Sequence, residues 1–130
     1  ENFEQFFAGK AALGAAVRYA LGIGMPAIEA RTRTLAEDLR ARLSAIPKVG
    51  VTDRGREKSG IVTFHKTDEP TDRLSARLRA GGLAHTVSPA SYSRWDLGRR
   101  GFAEGVIRVS PHYFNSEDEI ARCAALVAAG

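Results

Sequence analysis

Apolar residues recur at helical spacing in several stretches of this 130-residue chain and at strand spacing between them. Over residues 6–21 alanine is abundant and Leu13, Val17 and Leu21 fall at four-residue steps, which predicts a helix closely packed through its small residues. Gly22 and Gly24 end it. A second helix is expected from Pro26, a good first-turn residue. It should turn Ile28, Leu35, Leu39, Leu43 and Ile46 inward, leave Arg31, Arg33, Glu37, Asp38 and Arg40 in water, and stop at Pro47. Residues 49–52 and 61–65 read as an antiparallel strand pair joined by a polar turn over 53–60. Thr71 or Asp72 is placed to cap a short helix with Leu74 and Leu78 inward, and Gly81-Gly82 ends it before a strand over 83–87. The last strand spans 106–110. Ser116 and Glu119 then have capping-box spacing ahead of a helix whose inner stripe is Ile120, Cys123, Ala124 and Val127.

This order predicts a single α+β domain over residues 1–130, with a small, mainly antiparallel sheet of three to four strands and helices packed on one face. The other face needs a partner or water. The long segment 88–105 is the one stretch without a regular pattern, and loops of that length inside compact domains are often functional.

Composition narrows the chemistry. The net charge of +4 comes from fifteen arginines and four lysines scattered among fifteen acidic residues, without a basic stripe or interleaved aromatics, which argues against nucleic acid. A lone cysteine, Cys123, rules out an internal disulfide framework, suits a reducing cytoplasm, and falls on the apolar stripe of the last helix, where packing is its expected role. No Cys/His pair has metal-ligand spacing, His65, His85 and His112 are dispersed, and no apolar run has the length of a membrane span. The opening Glu1-Asn2-Phe3-Glu4 is unlike a signal peptide, and its lack of methionine suggests a piece of something longer. Gly22-Ile23-Gly24-Met25-Pro26-Ala27 fits a dinucleotide-binding pattern only superficially, because a helix precedes it instead of a strand.

Strand alternation in the last strand puts Ile107 and Val109 on one face and Val106, Arg108 and Ser110 on the other. On the residues alone, Arg108 is either a solvated charge or a planar fork for a carboxylate.

The run from Val106 to Ile120, with Val-Ser-Pro-His-Tyr-Phe-Asn-Ser-Glu-Asp-Glu-Ile after Arg108, resembles the C-terminal small domain of class V aminotransferases, a pyridoxal-phosphate-dependent group that includes cysteine desulfurases and isopenicillin-epimerase-like enzymes. The Ala-rich first helix, Ile28-Glu29-Ala30-Arg31, Gly60-Ile61-Val62-Thr63-Phe64 and Asp96-Leu97-Gly98-Arg99-Arg100-Gly101 extend the resemblance over nearly the whole chain. It implies a domain that recognises an amino acid or amine and closes the active site, with Arg108 holding the substrate carboxylate and Ser91 and Arg94, beside Tyr92 and Trp95, shaping substrate choice. It implies pyridoxal 5'-phosphate bound mainly by an absent large domain that supplies the cofactor lysine, and a homodimer at full length. Lys10, Lys48, Lys58 and Lys66 are expected to be solvated surface residues. Cysteine desulfurases carry their sulfur-accepting cysteine on the loop that reads here Ser88-Pro89-Ala90-Ser91-Tyr92-Ser93-Arg94-Trp95-Asp96, which has none, so desulfuration is disfavoured. The rival expectation is a free-standing α+β module that binds a ligand or protein on its open sheet face.

Overall fold

The computed structural model describes residues 5–130, so the opening tetrapeptide lies outside the described residues. Two helices come first, α1 (Phe7–Ile23) and α2 (Met25–Ser44), and the chain turns by 80° between them at Gly24. Gly24 has a φ of 101°, which a side chain would strain. The expectation of a closely packed first helix is corrected here. None of the α1 residues is buried, and Leu13, Val17 and Leu21 all face outward. Their four-residue spacing predicted the helix, but the turn at Gly24 swings their apolar side away from the core.

Four strands form one antiparallel sheet in the order β1 (Val49–Val51), β2 (Val62–Lys66), β4 (Val106–Val109), β3 (Thr86–Ser88). The two remaining helices are α3 (Thr71–Ala80) and α4 (Glu117–Ala128). Strand alternation sends Val62, Phe64, Ile107 and Val109 to one face, where they meet Leu35, Leu39 and Leu43 of α2, Leu74 and Leu78 of α3, and Ile120, Cys123 and Val127 of α4. Burying each large aliphatic or aromatic side chain there contributes about 1.5–3 kcal/mol. The α+β class, the antiparallel four-stranded sheet and the one-sided helix layer agree with the sequence.

Several local expectations change. Arg40, expected in water, is buried: it donates to Asp53 and to the carbonyls of Ser59 and Ile61. Lys66, expected on the surface, points into the helix-covered side and lies near Asp68 and Glu69. Neither Thr71 nor Asp72 caps α3. Pro70 occupies that position, and the Thr71 N–H donates instead to the Glu104 carboxylate at 3.0 Å. The third strand begins later than residue 83, because the Leu83 N–H turns back to the Leu78 carbonyl at 3.0 Å and so belongs to the end of α3. The capping box at Ser116 and Glu119 is formed as expected.

Candidate substrate-recognition site on the open sheet face

The side of the sheet away from the helices carries Arg108. Its register partners are Thr63 on β2 and Thr86 on β3, so the guanidinium rises between two hydroxyl-bearing neighbours. Arg108 is exposed while Val106, Ile107 and Val109 around it are buried. No ion pair among the described residues involves it. A rigid central strand thus presents an unneutralised planar cation that can donate two parallel hydrogen bonds to a carboxylate.

Segment 88–105 leaves the sheet at Ser88, which pairs with Val106, and returns at Gly105. It contains a 3-10 turn over Ala90–Tyr92 and a wide turn over Arg94–Gly98, so it is more ordered than a plain loop. Ser91, Tyr92, Arg94 and Trp95 all lie on its solvent side, with Tyr92 88% and Trp95 80% exposed. The Arg99 guanidinium sits 4.6 Å from the centre of the Trp95 ring. Ser91 and Arg94 are therefore exposed on the segment. The structure brings Thr63 and Thr86, not these two, directly beside Arg108.

Phe102 folds the far end of the segment back over the sheet, with its ring 4.8 Å from that of His65. Gly50 makes room for His65, since a Cβ there would lie 2.5 Å from the imidazole Cε1. Arg100 donates to the Thr52 carbonyl at 2.9 Å and to Asp96 at 3.2 Å. Thr63, Thr86 and Arg100 were not singled out in the sequence. The two threonines required the strand register, which pattern alone does not fix, and Arg100 carried no signal to separate it from Arg99.

Other groups find ordinary roles. Ser75 and the His85 Nε2 are 2.8 Å apart and the His85 Nδ1 is 3.0 Å from the Leu83 carbonyl, but Ser75 is buried, so the pair ties α3 to the chain before β3. His112 stacks on Phe114 at 4.7 Å, and its backbone N–H donates to Asn115 in a turn. Cys123 is buried, and burial pushes its thiol up to about 11, away from nucleophilic use. It lines a depression of about 380 Å³ with Leu39, Leu83, Val109, Phe114 and Leu126. No cluster of metal-ligating side chains occurs among the described residues.

The lysines do not fit a role in holding an aldehyde cofactor. Lys48 pairs with Asp68, and Lys66 is buried against the Gly130 carbonyl, with Asp68 and Glu69 each 3.8 Å away. Lys10 and Lys58 are exposed, Lys10 beside Gln5 and Lys58 in the turn between β1 and β2. None stands in an enclosed, phosphate-binding setting.

The class-V aminotransferase family profile matches residues 4–123. Solved structures of similar fold include a C-DES variant with glycine covalently linked to its PLP cofactor (20% identity, TM-score 0.60, 76% of this chain and 23% of that one). They also include the aminotransferase TlmJ from Streptoalloteichus hindustanus (18%, TM-score 0.65, 81% and 32%) and the sugar aminotransferase CalS13 from Micromonospora echinospora (20%, TM-score 0.59, 79% and 31%). No curated protein matches the chain. The chain spans between about a quarter and a third of the length of these structures. With nearly its whole length matched by the profile, the chain belongs to the class-V aminotransferase family.

Proposed function

We propose that this chain is the substrate-recognising, active-site-closing small domain of a pyridoxal-phosphate-dependent enzyme acting on an amino acid or amine. One observation carries the reading: Arg108, unneutralised on the open sheet face between Thr63 and Thr86, is built to receive a carboxylate. Family membership supplies the context, and the cofactor provides the electron sink for bond cleavage at the substrate Cα when bound. Because the lysines here do not fit it, the cofactor is held by a large domain outside this chain. The exposed apolar side of α1, with Leu13, Val17 and Leu21, is suited to pack against that domain. A homodimer in the cytoplasm completes the proposal.

The chain's own contribution is orientation. A two-pronged clamp on the carboxylate fixes the substrate's rotation about Cα and converts part of the binding energy into alignment of the bond to be broken. Closure of the small domain excludes water from that contact and strengthens it.

Arg108→Lys tests this in the cofactor-loaded protein. Lysine keeps the charge and loses the fork, so kcat/KM for α-amino acids is expected to fall about tenfold to a hundredfold, the worth of a charge-assisted hydrogen bond in a closed site. The cofactor's absorbance and the fold are expected to stay as they are. Equal kinetics in both proteins across α-amino acid substrates would make Arg108 a solvated strand residue and sink the proposal.

A further inference from the structure

We propose that Arg100 is a positioning residue: its guanidinium pins segment 88–105 to the β1 edge of the open sheet face and thereby fixes how the segment presents its exposed side chains for substrate recognition. The functional half of this inference rests on the reading of Arg108 given above, while the mechanical half stands on the contacts alone.

Arg99 and Arg100 are adjacent but do opposite things. Arg99 turns outward onto Trp95. Arg100 turns inward, and one Nη donates to the Thr52 carbonyl at 2.9 Å while the other reaches Asp96 on its own segment at 3.2 Å. Its guanidinium carbon also lies 4.9 Å from the centre of the Phe102 ring, which itself rests on His65 of β2. From Thr52 the path continues into the sheet. The buried Thr52 donates its N–H to the Thr63 carbonyl at 2.7 Å, and its hydroxyl donates to the Thr63 hydroxyl at 2.7 Å. Thr63 is the register partner of Arg108. A continuous set of short contacts therefore joins the segment to the strand position next to the carboxylate fork.

The segment needs such an anchor. The wide turn over Arg94–Gly98 is too short to be stable by itself, since helical turns of this length do not offset their own nucleation cost. Of its residues only Leu97 is buried. Ser91, Tyr92, Arg94 and Trp95 are all exposed, with Trp95 met by Arg99 of the same segment, so their direction is set by what ties the segment to the sheet. The Gly105 backbone lies tight against Ser88 and closes the two ends of the segment on each other. Between those ends the tie is Arg100, whose two Nη groups serve two acceptors while its guanidinium lies over the Phe102 ring. Lysine has a single point of charge and cannot do all three.

Residue-resolved amide hydrogen exchange on wild type, Arg100→Met and Arg100→Lys tests the clamp. Methionine preserves the length and apolar stem and removes every donor. In Arg100→Met, protection of the Gly98, Arg100 and Phe102 amides, which close the wide turn, is expected to drop about tenfold or more, with Phe64 and Ile107 in the core unchanged. Arg100→Lys should fall between the two. In the cofactor-loaded protein, KM for the best substrate among the proteinogenic α-amino acids is expected to rise about fivefold with kcat within about twofold, and lysine should recover part of the KM. Unchanged protection in Arg100→Met would overturn the clamp, and so would an equal loss at Phe64 and Ile107, which would make Arg100 one more contributor to global stability. A loosened segment with unaltered KM would overturn its role in recognition. Arg108→Lys, measured alongside, reports separately on the carboxylate reading, because the exchange result does not depend on it.

Discussion

At the scale of single residues, Arg40 shows how one charge organises a loop. Its Nε donates to Asp53 at 2.8 Å and its Nη2 to the carbonyls of Ser59 and Ile61 at 2.8 and 2.9 Å, so it gathers both ends of the polar connection between β1 and β2 onto α2. With side-chain exposures of 9% for Arg40 and 15% for Asp53, the pair is largely shielded from water. A half-broken pair of this kind strands a buried charge. Arg40→Leu is therefore expected to cost about 3–5 kcal/mol in urea unfolding, and adding Asp53→Asn should recover part of it by removing the stranded carboxylate. A loss below about 1 kcal/mol would place the pair with ordinary surface ion pairs. A signal for this contact existed in the sequence: Ala36, Arg40 and Leu43 lie on one side of α2, at core spacing. Charge alone argued for water, and only the fold shows that Asp53 arrives to meet it. Arg108 was legible for the opposite reason, since strand alternation fixes its face whatever lies opposite.

At the scale of elements, segment 88–105 depends on how tightly its ends are closed. Gly105 has a φ of 84°, and a Cβ there would lie 2.5 Å from the Ser88 carbonyl oxygen and 2.9 Å from the Pro89 Cα, both backbone atoms. Gly101 has a φ of 81° with nothing within 4 Å of a Cβ. The two alanine substitutions thus separate conformational strain from collision. Gly101→Ala should cost about 1 kcal/mol from the left-handed backbone alone, whereas Gly105→Ala should cost about 2 kcal/mol or more and shift the pairing of β3 with β4. Comparing unfolding midpoints and the β3 amide protection in the two variants checks this, and equal costs would mean that the segment's return is not sterically locked. Helix α4 was readable from its capping box and stripe because both signals are local. The start of β3 was not, because residues 83–85 are apolar enough for a strand and are withheld from the sheet by bonds to α3. Segment 88–105 has no period at all, so its two turns were beyond pattern reading.

At the scale of the whole molecule, the sheet is a plate with helices α2, α3 and α4 on one side and an open face on the other, and arginines tie α4 at both ends, by an ion pair near its start and by hydrogen bonds to backbone carbonyls near its end. Near its start, Arg31 of α2 grips Glu117 and the Asn115 carbonyl; near its end, Arg77 of α3 reaches Glu69 and the carbonyls of Leu126 and Val127. The order of elements made this layering legible, whereas the exposure of α1 was not, because burial depends on what covers a face as well as on its composition. The ties also predict a pH dependence. The hydrogen bond from Arg31 brings the Glu117 carboxyl down from 4.5 to about 2, and that from Arg77 holds Glu69 below the usual carboxylate range. Asp68 is lowered chiefly by Lys48, and Glu119 chiefly by the Ser116 N–H of the capping box. Each group is more acidic when folded, so the unfolded chain binds more protons in acid. The stabilisation is complete above the ordinary carboxylate values and is lost as pH falls from about 4.5 towards 2. Because Glu117 and its partner are exposed to solvent, added salt should weaken that share of the effect. Thermal unfolding is expected to give a constant midpoint from pH 7 to 5 and a falling one below about 4.5, with protection in α4 among the first to be lost. Glu117→Gln should flatten part of that fall while lowering the midpoint at neutral pH. A midpoint that stays level down to pH 3, or a Glu117 carboxyl that titrates near 4.5 in the folded chain, would show that these ties do not hold α4 in place.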